Sequence, residues 1–185
     1  QVYRFDNNRF NLIENSDSLF LPVGFGNING NSATDILAKR YGDNRALEVK
    51  GGKYLQNQLY RDEKYRTALA LFDIDKDGKD EIICHSALGF DVVKEQNGKY
   101  NTIASTEASA PMNLSTSPGL IVADFDNDGK NEIVHSNRNG NIVISEFENN
   151  SFKSEYQDST AYPSDIHYIE KADLDADGIP EIVFV

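Results

Sequence analysis

The sequence predicts an all-β protein assembled from a repeated four-stranded unit, and three observations predict it. An acidic loop, Asp-x-Asp-x-Asp-Gly-x-x-Glu followed by two apolar residues, occurs at 73–83, 124–134 and 173–183, with a degraded copy at 27–37. These copies start 46, 51 and 49 residues apart, a period that suits one supersecondary unit per copy. Between them lies a small-residue turn that leads to an aromatic: Asn7-Asn8-Arg9-Phe10, Gly51-Gly52-Lys53-Tyr54, Asn97-Gly98-Lys99-Tyr100 and Asn149-Asn150-Ser151-Phe152. Short apolar runs flank the loops, such as 68–72 with 82–84 and 120–123 with 133–134. Their length, β-branched content and bounding turn residues favour strand over helix.

Taken in order, the first strand of a unit enters the acidic loop and the second leaves it. A turn such as Leu88-Gly89 or Asn137-Arg-Asn-Gly140 leads to the third strand. Asn-Gly and Gly-Gly pairs accept the positive φ of two-residue hairpins, so each aromatic turn is expected to join the third strand to the fourth. The connector from about Ser105 to Pro118 is rich in Ser, Thr, Ala and Pro and reads as a surface loop. The chain opens on a third–fourth strand hairpin with no loop before it and closes after a loop with no hairpin behind it. The units therefore run over about 20–66, 67–117 and 118–160, and the leftover halves, 161–185 and 1–19, sum to a fourth. This phase predicts a single β-propeller domain over 1–185, four-bladed, with its last blade stitched from both termini, a closure that hides sheet edges. The alternative is that the chain is part of a larger propeller, or one completed by self-association with a second chain. It begins at Gln1, which reads as processed or as a piece of something longer.

Composition narrows the partners. Hydrophobic residues make up 39% of the 185 positions, enough for a packed core rather than a disordered chain. The net charge of −12 disfavours nucleic acid and anionic membrane surfaces. No apolar run approaches the ~20 residues of a membrane helix, so membrane insertion is not expected. The single cysteine, Cys84, excludes an internal disulfide and reads as a small core residue. The triplets at Asn113 and Asn149 fit a glycosylation acceptor but are common by chance.

The acidic loops carry the chemistry. Four carboxylates packed this closely repel one another unless a cation sits among them. Alternate Asp residues in a tight loop can aim short-stemmed oxygens at one centre, and hard divalent cations want oxygen donors. The glycine at position six permits the sharp turn. An EF-hand shares the opening Asp-x-Asp-x-Asp-Gly but needs a Glu at position twelve, where this chain has Cys84, His135 or Phe184. Here the last acid stands at position nine and an apolar pair follows, so the site is strand–loop–strand. The loop filled by its own side chains leaves no open position for substrate, which makes the metal structural.

The motif at this period resembles the FG-GAP/VCBS repeat family, the integrin-α-like β-propellers, over essentially the whole chain. The resemblance implies a calcium ion in each loop, held by the side chains at positions one, three, five and nine and the carbonyl at seven. One site would then be Asp73, Asp75, Asp77, Glu81 and the carbonyl of Lys79. Another would be Asp124, Asp126, Asp128, Glu132 and the carbonyl of Lys130, and a third Asp173, Asp175, Asp177, Glu181 and the carbonyl of Ile179. The first copy is weaker: Asn27, Asn29, Asn31, the carbonyl of Ala33 and the single acid Asp35, with Ser32 in place of glycine. About three calcium ions are expected, or four if this loop fills.

The resemblance implies a non-catalytic binding or adhesion module of a secreted or cell-surface protein, with a protein or glycan partner. The alternative is a domain of a carbohydrate-active enzyme such as a polysaccharide lyase. No nucleophile elbow, HExxH, phosphate loop or paired-cysteine motif occurs. His85, His135 and His167 form no set, and packed or surface histidines are the plainer reading. Ligand residues are sought on the face opposite the acidic loops, where Arg40, Tyr41, Arg138 and Tyr162 would suit an anionic group or a sugar ring. Ordinary solvated loops are the plainer account of that face as well.

Overall fold

The apolar pair behind each acidic loop decides the architecture. In a strand, successive side chains point to opposite faces, so two adjacent buried apolar residues require cover on both sides of the sheet. The computed structural model describes residues 2–14, 21–40, 43–50, 53–61, 66–85, 89–106, 120–136, 141–157 and 168–184. Every regular element among them is a strand: β1 (Val2–Asp6), β2 (Arg9–Glu14), β3 (Leu21–Gly26), β4 (Asp35–Arg40), β5 (Asp43–Lys50), β6 (Lys53–Arg61), β7 (Thr67–Phe72) and β8 (Glu81–His85). The chain continues through β9 (Phe90–Gln96), β10 (Lys99–Ser105), β11 (Leu120–Ala123), β12 (Asn131–Ser136), β13 (Ile142–Glu148), β14 (Ser151–Gln157), β15 (Ile169–Ala172) and β16 (Glu181–Phe184).

Three antiparallel four-stranded meanders result, β3–β6, β7–β10 and β11–β14, with a two-stranded sheet at each end, β1–β2 and β15–β16. The four-stranded unit expected from the repeat is thus present three times. The hairpin turns behave as their residues dictate: Asn7 and Asn8, Asn97 and Gly98, and Asn149 and Asn150 all hold φ between 50° and 78°. The Gly51-Gly52 turn and the 107–119 part of the Ser/Pro-rich connector lie outside the described residues.

Each sheet packs on the one before it. First strands are neighbours in series, β3 with β7, β7 with β11 and β11 with β15, while β2 lies against β6 and β10 against β14. Ile82 and Cys84 of β8 join Leu37, Ala46 and Tyr60 of the preceding sheet, and Ile83 between them joins Val122, Ile133 and Phe147 of the following one. Val134 likewise turns away from Ile133 toward Ile169 of β15. Both faces of the middle sheet are therefore interior. Cys84 is fully buried, as expected for a small core residue.

One polar bolt crosses the first of these interfaces. Arg66, 8% exposed, donates to Asp91 Oδ2 at 2.8 Å, to Tyr60 Oη at 3.1 Å and to Thr102 Oγ1 at 3.1 Å. Beside it Asn44 Nδ2 donates to the Arg66 carbonyl, and Asn44 Oδ1 accepts the Ala68 N–H at 3.1 Å.

The ends depart from the expected closure. The β1–β2 hairpin and the β15–β16 hairpin are two separate sheets, so the blade stitched from both termini is not formed among the described residues. β2 lies against β6 and β15 against β11, as a fourth and a first strand would, but no pairing joins β16 to β1 among the described residues. Faces that are interior elsewhere are open there. Phe5, Phe10 and Leu12 are 51–74% exposed at one end, and Leu174 is 69% exposed at the other.

Candidate metal centres

All four acidic loops share one backbone course, including the degraded one. The fourth position has positive φ at Gly30, Lys76, Asn127 and Ala176, and the sixth at Ser32, Gly78, Gly129 and Gly178. Ser32 adopts φ 65° where the others place glycine, so the loop at 27–35 keeps the turn without the residue that favours it.

The side chains first serve the loop itself. The residue at position one accepts the N–H at position six in three copies: Asp73 from Gly78, Asp124 from Gly129 and Asp173 from Gly178, at 2.9–3.1 Å. The residue at position five accepts the N–H at seven in all four: Asn31 from Ala33, Asp77 from Lys79, Asp128 from Lys130 and Asp177 from Ile179, at 2.8–2.9 Å. The acid at position nine folds back to position two: Asp35 accepts from Ile28, Glu81 from Ile74, Glu132 from Phe125 and Glu181 from Leu174, at 2.7–3.1 Å. At position nine each of these bonds occupies one carboxylate oxygen, Oδ2 of Asp35 or Oε2 of Glu81, Glu132 and Glu181, and the other oxygen points elsewhere. Asp73 uses both of its oxygens on loop N–H groups, those of Asp77 and Gly78.

The acids do converge. Asp73, Asp75 and Glu81 each offer an oxygen within 4.8 Å of the others, as do Asp124, Asp126 and Glu132, and Asp173, Asp175 and Glu181. Asp128, Glu132 and Glu146 form an overlapping group of the same kind. These donors are hard oxygens, suited to calcium, magnesium or manganese rather than to zinc or copper. At 124–132 one observation bears on fit directly: Asp124 Oδ1 is buried without a hydrogen-bond partner. Burying such an atom is unfavourable unless something satisfies it, and a cation would.

The loops also differ. At 73–81 a lysine from the third strand reaches in: Lys94 Nζ contacts Asp75, lies 2.7 Å from Asp77 Oδ2 and 3.1 Å from Glu81 Oε1. Burial opposes the charge on Lys94, but hydrogen bonds to the three carboxylates outweigh it and raise its pKa above the ordinary lysine value. Glu81, fully buried, is pushed up to about 7 by desolvation against the pull of Lys94. At 124–132 the hydrogen bond from the Lys130 N–H, with help from its ammonium, lowers the pKa of Asp128. At 27–35 burial raises Asp35, whose Oδ1 also lacks a hydrogen-bond partner, and both Asn29 and Asn31 donate to the buried Glu48.

Three participants were thus missed in the sequence: Glu48, Lys94 and Glu146. Asp35 pairs with Glu48 and Glu132 with Glu146, while Lys94 follows the Ile82–Val93 pair and so faces Glu81. They stand 13, 13 and 14 residues after position nine, a signal readable only once the third strands are aligned. Position eight was missed too. Asp80 binds Asn27 by its backbone N–H (2.9 Å to the carbonyl) and by its carboxylate, and Asn131 donates to the carbonyls of Asp73 and Ile74 at 3.2 and 2.9 Å. The loops at 73–81 and 124–132 are thereby each tied to the loop before, whereas the loop at 173–181 has Pro180 at position eight.

Tyr41, Arg138, Tyr162 and His167 lie outside the described residues. Arg40 ends β4, and the placement of its side chain is likewise outside them. His135 is 3% exposed with its ring edge-on to Phe90 at 5.5 Å, while His85 is half-buried. Packed histidine is the reading that suits His135. Among the described residues there is no helix long and apolar enough to cross a membrane.

The arrangement defines a class: an all-β repeat protein whose strand-connecting loops are acidic pockets that could hold metal ions. The chain belongs to the FG-GAP-like repeat family, which matches residues 73–135 and 124–184. Among solved structures it is similar to an Agrocybe aegerita lectin described by its specific recognition of non-reducing terminal N-acetylglucosamine. That likeness has a TM-score of 0.54 at 18% identity and covers 89% of this chain and 46% of the lectin chain, so the present chain spans less than half of that structure. At this identity the likeness speaks to fold alone. No curated protein matches the chain.

Proposed function

We propose that this chain is a calcium-stabilised β-propeller segment serving as a non-catalytic binding module of a secreted or cell-surface protein. The observation that carries the reading is the buried, unsatisfied Asp124 Oδ1 inside a ring of hard oxygen donors in an FG-GAP-like repeat. In this reading Asp124, Asp126, Asp128 and Glu132 with the Lys130 carbonyl hold one calcium ion. Asp173, Asp175, Asp177 and Glu181 with the Ile179 carbonyl hold another. The loop of Asp73, Asp75, Asp77, Glu81 and Lys79 has the same frame, and the loop of Asn27, Asn29, Asn31, Ala33 and Asp35 is the weakest, although Glu48 adds an acid to it. The ion supplies charge neutralisation and pins the first strand of a blade to the second.

The serial packing of first strands supports blades arranged about a common axis. The two separate end hairpins favour consecutive blades of one array over a four-bladed ring closed by joining them. Such a module fits extracellular calcium, and its partner is a protein or a glycan, the latter supported by the lectin likeness. Arg40, Tyr41, Arg138 and Tyr162 remain the proposed ligand residues.

Melting with and without a calcium chelator tests the metal. The melting temperature is expected to fall by several degrees on chelation and to recover with calcium but not with sodium, consistent with a ligand that binds only the folded state. An unchanged melt sinks the calcium reading. Glycan-array binding in millimolar calcium, lost in Arg40→Ala or Tyr41→Ala, tests the partner, and a flat array leaves the protein ligand.

A further inference from the structure

We propose that Lys94 is the resident cation of the 73–81 loop, so that this loop takes no calcium while the loop at 124–132 does. The inference rests on the calcium reading above and departs from one ion per loop. An ammonium has three N–H donors and no acceptor. Lys94 directs its ammonium at Asp75, Asp77 and Glu81 together, with 12% of its side chain exposed. The oxygens it meets are spare ones: Asp77 uses Oδ1 on the Lys79 N–H and Oδ2 on Lys94, and Glu81 uses Oε2 on the Ile74 N–H and Oε1 on Lys94. A calcium ion ~2.3–2.6 Å from those same oxygens would occupy the place of the ammonium. Two cations cannot share it.

The position is set by the backbone, not by a long side chain wandering in. Ile82 pairs with Val93, so the next residue of β9 must face the ninth residue of the loop. The same register place in the other two complete sheets holds an acid, Glu48 or Glu146. Glu146 adds a carboxylate to Asp128 and Glu132. The Lys130 ammonium meets Glu146 at 3.0 Å and Asp128 at 3.3 Å, but from a side chain 35% exposed, whereas Lys94 is 12% exposed and bridges three acids of its loop.

Bound calcium is counted on the whole purified chain by elemental analysis after equilibration in calcium and removal of excess. Lys94→Gln, nearly isosteric, is expected to bind one more ion than the wild type. Asp75→Asn is expected to leave the wild-type count unchanged, whereas Asp126→Asn lowers it by one. In chelator, Lys94→Gln should melt below the wild type, and calcium should restore it. An equal count in wild type and Lys94→Gln, or the loss of an ion in Asp75→Asn, overturns the proposal. A wild-type count of zero instead sinks the calcium reading, and Lys94 is still judged by whether Lys94→Gln gains an ion.

Discussion

His135 shows how far a single side chain can be read. Its imidazole is interior, its Nδ1 lies 3.2 Å from the Ser136 carbonyl, and burial holds its pKa below the ordinary value of 6.5. The fold therefore favours the neutral ring. Its contribution to stability is complete above pH 6.5 and is lost as pH falls through the depressed folded value. A melting series from about pH 7 to about pH 5 should fall more steeply in the wild type than in His135→Gln, which lacks the titrating ring. Equal slopes would show that the acidic loops alone set the acid limit. The convergence of the acids at positions one, three and nine of each strong loop was legible in the sequence because their spacing is local. Lys94 was not, because its role depends on which strand-three residue faces the loop, and a one-residue slip in register sends a side chain to the other face.

At the scale of elements, strand identity was legible from the apolar pairs and the Asn-rich turns, since both work within a few residues. The Arg66 bolt was not, because its partners Tyr60, Asp91 and Thr102 come from three strands of two sheets. Arg66→Ala leaves the Asp91 carboxylate, 13% exposed, without its ion-pair partner Arg66 in an apolar interface. Loss of one member of a buried pair costs about 3–5 kcal/mol. Denaturant unfolding of Arg66→Ala should show a loss near that size. A change under about 1 kcal/mol would mean that solvent reaches Asp91 more easily than its burial implies.

At the scale of the molecule, the series of sheets ends in faces of the kind that are covered elsewhere. Position two of the loop is 1% exposed at Ile28 and 2% at Ile74, where another sheet follows, yet 69% at Leu174. The chain is therefore expected to self-associate as concentration rises, and Leu174→Asp should weaken that association in sedimentation or light scattering. A concentration-independent mass for the wild type would refute the expectation. The phase of the repeats predicted a fourth blade from the two ends but could not say whether they meet, because sequence period carries no information on the rotation between sheets. The ties at position eight have a further effect. Asp80 grips the start of the loop at 27–35, and Asn131 grips the start of the loop at 73–81. Order in one loop is thereby lent to its predecessor, and the loops behave as links with nearest-neighbour coupling. Lys76 in turn grips the following loop at Asp124 and at the Gly129 carbonyl. Disturbance at one link, whether by proteolysis, heat or loss of an ion, would then spread along the series in both directions rather than stay local.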